Sequence, residues 1–416
     1  MSVTVKPSAV SGAVTAPPSK SVTHRALVLA ALAEGRSRIR NPLTADDTEA
    51  TTCVLAQLGV EVTRGGDWLV EGGHLSAPAE ALHCGESGTT LRLMTAVCAL
   101  ANGDSTLTGG PSLTSRPVGP LLDALRQLGV KSRSRGGLPP VTVAGGGVEG
   151  GEARLPGSVS SQFVTALLTV APLARSRIKI RLTTRLESKP YVAMTVDAMR
   201  AFGVEAEHSG DMTRLTAPLK SYRATDLTVE GDWSSAAYPL TAGALAGEAT
   251  VRGLNPSSTQ ADRAILPLLS EMGADVKTRS DEVRVGASPL RGIEADLSDC
   301  PDLFPIVSAL CAAAEGESHL TGLARLRFKE SDRVAAMADG LTRIGAEVRF
   351  DADSATIRGG ALHGAEVTPW GDHRVAMSLA VLALRAGETK ISDAGCVNKS
   401  YPGFWRDLAD IGGVTG

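Results

Sequence analysis

Basic, acidic and hydroxyl side chains gather at two recurring places along the chain, and their types suit the handling of anions. One place is the start of an apolar helical run, where the sequence reads PPSKSVTHR (17 to 25), CGESGTT (84 to 90), SVSSQ (158 to 162), GDWSS (231 to 235), CPD (300 to 302) and GDHR (371 to 374). The other is a later connection, with LTSRP (113 to 117), ESKPY (187 to 191), RFKESDR (327 to 333) and CVNKSYP (396 to 402). A helix start leaves backbone N–H groups unpaired and carries the positive end of the dipole, so Ser, Thr and Asp there are first of all caps. Capping accounts for Asp232, Ser234 and Ser235. It does not account for Lys20, Arg25, His373 and Arg374, because a cation at a helix N-terminus opposes the dipole unless an anion sits beside it. A Lys or Arg next to a Ser-rich helix start is a way to hold phosphate or carboxylate. With Arg116, Lys329, Arg333 and Lys399 at the second place, the pattern predicts an anionic-ligand site.

Acids sit among these cations. Asp332 and Asp372 read as ion-pair partners of the neighbouring Lys and Arg. Glu330, between Lys329 and Arg333, and Asp302, at a helix start after Pro301, are the candidates for proton transfer.

The elements that must position these residues recur six times. Each copy has an apolar helix, a Gly-containing turn, a strand, a connection and an amphipathic helix that closes on a glycine, at Gly59, Gly129, Gly203, Gly273, Gly345 and Gly412. The runs LVLAALA, LRLMTAVCALA, VTALLTVAPLA, AAYPLTAGALA, FPIVSALCAAA and VAMSLAVLALRA are too short to span a bilayer and suit buried helices. The second helices are amphipathic, as Val118, Leu121, Leu122, Leu125 and Leu128, or Val334, Met337, Leu341 and Ile344, show by their spacing. Further strand pieces such as WLVEG (68 to 72), VTVAG (141 to 145) and ATIRG (355 to 359) give a β-α-β-α-β-β order per copy. Six such copies in 416 residues exceed one core. GGGVEG (145 to 150) matches a dinucleotide-binding pattern but leads into no helix, and reads as a turn.

Composition narrows the classes. With 3% aromatic residues and a net charge of −3, the chain lacks the stacking platforms and basic faces of a nucleic-acid binder. Of 42 basic residues, 32 are arginine and 10 lysine, a bias that makes the placement of the lysines more informative. The seven histidines show no ligand spacing, so neither a metal nor a cofactor is expected. The six cysteines have no CxxC and no framework spacing, and are expected as reduced thiols in the core. MSVTVKPSAVSGAV reads as a strand and turn, so the default compartment is the cytoplasm, with no membrane association.

PPSKSVTHR, SSQF (160 to 163), SKPY, KESDR and DHRVAM (372 to 377), in this order, resemble the 5-enolpyruvylshikimate-3-phosphate synthase family over essentially the whole chain. The resemblance implies an α/β fold of two domains, each of three β-α-β-α-β-β units in an inside-out α/β barrel. It implies an inserted domain at 15–229, a discontinuous domain at 1–14 plus 230–416, and an active site in the cleft between them. The substrates implied are shikimate 3-phosphate and phosphoenolpyruvate, and a monomer is expected because nothing in the sequence reads as an obligate interface.

Carried over by position, Lys20, Ser21, Arg25, Ser160, Ser161, Gln162, Ser188, Tyr191, Asp302 and Lys329 are implied to contact shikimate 3-phosphate. Lys20, Gly88, Arg116, Gln162, Arg333, Arg374 and Lys399 are implied to contact phosphoenolpyruvate. Asp302 matches the base on the 5-hydroxyl and Glu330 the acid on the enol methylene, with Lys20 assisting proton transfer. Glu86 stands where Asn is more usual, and Arg325 where many members have Asn. A carboxylate near phosphoenolpyruvate repels it unless an Arg compensates or Glu86 points away. Because Gly88 leaves room there, inhibition by glyphosate is expected.

Two other readings compete. UDP-N-acetylglucosamine enolpyruvyl transferases share the repeat architecture but carry a reactive cysteine in a GGC context, where this chain has GGPSLTSRPV (109 to 118), and a Lys-Asn pair where it has Lys20-Ser21. A non-catalytic or RNA-end-processing protein calls for basic faces and aromatic platforms that the composition does not supply.

Overall fold

The computed structural model describes residues 1–416, which divide into two compact units: residues 1–17 with 230–416, and residues 18–229. The second is thus an insertion into the first. Strands form six four-stranded sheets, three in each unit.

The inserted unit holds α1 (Lys20–Leu32), α2 (Asp46–Gln57), α3 (Gly88–Val97), α4 (Pro111–Thr114), α5 (Gly119–Gln127), α6 (Ser161–Val170) and α7 (Lys189–Ala201). The other unit holds α8 (Trp233–Ala246), α9 (Ile265–Met272), α10 (Phe304–Ala313), α11 (Arg333–Arg343), α12 (His373–Ala386) and α13 (Phe404–Asp410).

One copy shows how the unit is made. The strand Gly151–Leu155 pairs in parallel with Ile178–Leu182, which pairs antiparallel with Arg214–Thr216, itself paired with Glu207–His208. A parallel pair needs a crossover, and α6 provides it. Three copies borrow strands from far along the chain. Val10–Thr15 pairs in parallel with Gly247–Arg252 across the whole insertion, and Asp226–Thr228 pairs with the strand Gly35–Arg40. Val3–Lys6 lies between Thr389–Ile391 and Val414–Thr415, so the last sheet is completed by the first strand of the chain.

The apolar runs form α1, α3, α6, α8, α10 and α12, each buried on nearly every side. Fully burying a Val, Leu or Phe contributes about 1.5–3 kcal/mol, so these helices are the main apolar content of each core. The second helices bury one face only: α5 hides Leu121, Leu122, Ala124 and Leu125 and exposes Asp123 and Arg126. All six closing glycines have φ between 83° and 103°, a left-handed conformation that a side chain disfavours. GGGVEG leads straight into the strand at Gly151, with positive φ at Gly146, Gly147 and Gly150, as a turn requires.

Three sequence expectations need correction. At the start of α8 only Asp232 caps, accepting from Ser235 N at 2.7 Å; Ser234 instead donates to the carboxylate of Asp262. Asp332 is the cap of α11, accepting from Ala335 N at 3.0 Å, and not the ion-pair partner its neighbours suggest. All six cysteines are free thiols, and five are buried, but Cys53 is exposed on α2. The amphipathic helix turns that position outward.

Candidate active site

In the unit of residues 1–17 and 230–416, three cations converge on one carboxylate. Asp302 lies in the single turn Pro301–Leu303 that leads into α10. Its oxygens are 2.7 Å from Arg333 Nη1, 2.9 Å from Arg374 Nη2 and 3.3 Å from Lys329 Nζ. Two of the cations share one connection, Lys329 following the turn Ala324–Phe328 and Arg333 opening α11, while Arg374 comes from the first turn of α12. Arg333 is 1% exposed and spends its other nitrogens on Glu330 at 2.5 Å and Asp372 at 2.8 Å. Asp372 also caps α12 by accepting from Arg374 N. Lys399 donates to the carbonyl of Gly371 at 2.9 Å, which ties the last connection to the turn before α12.

Glu330, Asp372 and His373 bring potential ligand atoms within 4.8 Å of one another, but the guanidinium of Arg333 already bonds both carboxylates. A protein cation therefore supplies the charge that a metal would.

The charges shape one another. Burial by itself would raise the Asp302 pKa, yet Arg374, Lys329 and Arg333 hold the carboxyl well below the usual range. Burial lowers Lys329 to about 8, with Asp302 opposing and Arg333 and Arg325 assisting. Nearby Asp262 is buried, and burial together with the Asp302 charge pushes its carboxyl up to about 7. The site thus holds one carboxylate kept ionised and another that titrates near neutrality.

In the unit of residues 18–229, α1 presents Lys20, Ser21 and Arg25 from its first two turns. Lys20 Nζ is 2.7 Å from Asp47 Oδ2, both side chains being largely buried. Arg25 donates to Thr195 Oγ1 at 2.9 Å and to the carbonyls of Ser21 and Tyr191, each at 2.8 Å. No carboxylate neutralises it, and burial lowers its pKa to about 10. A buried guanidinium satisfied only by neutral acceptors is poised for an anion.

Other expected residues line up at neighbouring helix starts. Ser160 caps α6, accepting from Gln162 N at 3.3 Å. Gln162 donates to Thr89 Oγ1 at 2.9 Å and accepts from Arg92 Nη1 at 2.6 Å. Ser161 is the first residue of α6. Ser188 precedes α7 in a left-handed conformation, φ 56°, that is costly for a residue with a side chain. Over Gly88 two guanidiniums close in: a Cβ there would lie 2.6 Å from Arg116 Nη1 and 3.4 Å from Arg92 Nη1. Arg116 itself is 5% exposed.

Asp47, Arg92 and Asp262 escape the sequence reading. Arg92 was legible, as the one cation inside the apolar run LRLMTAVCALA. Asp47 in TADDTEA and Asp262 in TQADRA look like ordinary surface acids, and only folding buries them. Glu86 bonds Ser112 and Leu113, and Arg325 Nη2 donates to the carbonyl of Ser298.

Comparison with known proteins finds a match over residues 4–408 to the family described as EPSP synthase (3-phosphoshikimate 1-carboxyvinyltransferase). A 3-phosphoshikimate 1-carboxyvinyltransferase of Methanospirillum hungatei is 43% identical over 412 residues, covering 95% of each chain. One of Halobacterium salinarum is 45% identical over 430 residues, covering 100% of each. Among solved structures, EPSP synthase from Acinetobacter baumannii superposes with a TM-score of 0.83 at 29% identity, covering 100% of this chain and 99% of that one. The enolpyruvyl transferase NikO from Streptomyces tendae, at 20% identity and a TM-score of 0.78 over 100% of this chain and 98% of its own, shares the fold. No helix is long and apolar enough to cross a membrane.

Proposed function

The chain belongs to the EPSP synthase family, and from that membership we propose how its residues divide the work of the reaction. The reaction moves the enolpyruvyl group of phosphoenolpyruvate to the 5-hydroxyl of shikimate 3-phosphate, giving 5-enolpyruvylshikimate 3-phosphate and phosphate.

The observation that carries the assignment is the convergence of Arg333, Arg374 and Lys329 on Asp302, with Glu330 on the same arginine. Glu330 gives its proton to the enol methylene, which becomes a methyl group and leaves an oxocarbenium-like centre. The 5-hydroxyl oxygen attacks that centre and passes its proton to Asp302. Phosphate then leaves with the proton held on Asp302, and one methyl proton returns to Glu330, which restores the double bond; Lys20 assists the proton transfers. Asp302 in the resting site is a weak base because three cations hold its charge. When substrate phosphate and carboxylate engage those cations, their grip on Asp302 relaxes and its basicity rises.

Arg333, Arg374, Lys399, Arg116, Gln162 and Gly88 hold phosphoenolpyruvate in this reading, and stabilise charge on the leaving phosphate. Ser21, Arg25, Ser160, Ser161, Ser188, Tyr191 and Lys329 hold shikimate 3-phosphate. The uncompensated charge of buried Arg25 supports its share. Glyphosate inhibits by competing at the narrow cradle over Gly88, and the working form is a monomer.

Phosphate release from phosphoenolpyruvate is the test, run once with shikimate 3-phosphate and once with UDP-N-acetylglucosamine as acceptor. Release with the first alone is expected. Release only with the second rejects the assignment.

A further inference from the structure

We infer that Glu86 is a positioning residue: its carboxylate clamps the loop Gly109–Arg116 so that the guanidinium of Arg116 is held over Gly88. The inference rests on the reading that Arg116 and Gly88 serve phosphoenolpyruvate, and adds the group that keeps them in register.

Several observations meet here. The Glu86 carboxylate accepts from Leu113 N at 3.0 Å and from the hydroxyl of Ser112, at the first turn of α4. The loop's near end is tied to the same segment, since Gly110 N donates to the carbonyl of Gly85 at 2.8 Å. Leu113, fully buried, anchors the turn, and Arg116 N donates to its carbonyl at 3.1 Å. Three residues beyond the clamp, Arg116 Nη1 lies where a Cβ on Gly88 would come within 2.6 Å of it. Glu86 thus fixes the loop at Ser112 and Leu113, and Gly88, two residues on, leaves the space that Arg116 Nη1 occupies.

The clamp also answers the electrostatic problem that a carboxylate poses beside an anion subsite. Glu86 spends its charge on a backbone N–H and a hydroxyl and forms no ion pair. Charge-assisted bonds of this kind are stronger than neutral ones, so the carboxylate's charge is engaged by its own loop.

Gly110 completes the arrangement. Its φ of −73° is open to any residue, so conformation does not demand glycine there. Space does: a Cβ on Gly110 would collide with Glu86 Oε1. Gly110→Ala therefore displaces the clamp without deleting it, and does so only while residue 86 is Glu.

That dependence makes the test. Steady-state kinetics of the whole chain are measured with both substrates for Glu86→Ala, Gly110→Ala, the double variant and Glu86→Gln. Glu86→Ala is expected to raise KM for phosphoenolpyruvate on the order of tenfold while KM for shikimate 3-phosphate stays within about twofold. Gly110→Ala raises the same constant when Glu86 is intact and adds nothing on top of Glu86→Ala, because the atom it collides with is gone. Glu86→Gln, which keeps an acceptor for Leu113 N, recovers most of the loss. Equal harm from Gly110→Ala in both backgrounds overturns the inference. So does a lowered Tm with KM for phosphoenolpyruvate unchanged, which is what a purely structural role produces. Absence of phosphate release by the unsubstituted protein with shikimate 3-phosphate rejects instead the functional reading on which the inference rests.

Discussion

Arg333 Nη1 lies 2.7 Å from the carboxylate of Asp302, and the same guanidinium bonds Glu330 and Asp372. One buried cation thereby organises three acids, and its own pKa is raised: burial opposes its charge, but Asp372, Glu330 and Asp302 outweigh it. Two consequences follow, one for stability and one for turnover.

Removing the cation leaves three acids without their shared partner. Arg333→Met is expected to destabilise the fold by about 3–5 kcal/mol and to abolish activity. Arg333→Lys recovers little, because an ammonium cannot reach three carboxylates from one planar fork. Urea unfolding of both variants checks this, and near-native stability of Arg333→Met would refute it.

The acid and base roles separate from binding. Asp302→Asn and Glu330→Gln are each expected to lower kcat by roughly 100- to 10,000-fold with little change in either KM. Pre-steady-state phosphate release reports the chemical step directly. Turnover within a few-fold of normal in both variants would be incompatible with the proposed proton transfers.

Asp262 makes stability depend on pH. Its folded pKa, about 7, lies above the ordinary carboxyl value because burial and the negative charge of Asp302 oppose ionisation, with Asp232 adding to them and Arg374 and the Ser234 hydroxyl opposing. For a raised pKa, the favourable contribution is whole below the unfolded value and is lost as pH rises through the folded one. Each tenfold difference in proton affinity between the folded and unfolded chain corresponds to about 1.4 kcal/mol. Asp262→Asn, which cannot ionise, should therefore gain stability relative to the unsubstituted protein as pH rises from about 4 to about 7. Parallel urea midpoints across that range would count against the assignment.

A methyl group in the cradle over Gly88 competes with Arg116 for space. Gly88→Ala places its Cβ 2.6 Å from Arg116 Nη1, so the guanidinium must move. KM for phosphoenolpyruvate is expected to rise on the order of tenfold with KM for shikimate 3-phosphate preserved. A change in the second constant alone would place Gly88 in the other subsite.

The closing glycines are architectural. At Gly203 the nearest atom to a built Cβ is 3.4 Å away, so the φ of 83° is the main obstacle to a side chain. Gly203→Ala should cost about 1–2 kcal/mol in stability and leave kcat unchanged. Thermal unfolding beside an activity assay distinguishes this from a catalytic role.

Much of the fold was legible because it is local. The spacing of Leu121, Leu122 and Leu125 describes one helix face without knowledge of its partner, and a glycine after a helix announces a left-handed turn. The strand that completes the last sheet was less legible, since Val3–Lys6 and Thr389–Ile391 meet from opposite ends of the chain. Among site residues, cations placed against a helix dipole stood out as unexplained by capping. Ser234, which serves Asp262, and Asp332, which caps α11, have partners that sequence does not single out, because their types allow several.

By itself, then, the sequence determined the six-fold repeat, the buried and surface helices and the clustering of anion-handling side chains, all of which depend on residues within a few turns of one another. Tertiary structure decided which charges meet. Asp302 and Arg374 are 72 residues apart and Arg25 and Thr195 are 170 apart, yet each pair is joined at 2.9 Å. A side chain's type sets what it can bond, but electrostatic energy depends on distance and burial. Those are known only once the chain has closed on itself, turning Asp262 inward and Glu86 onto its loop.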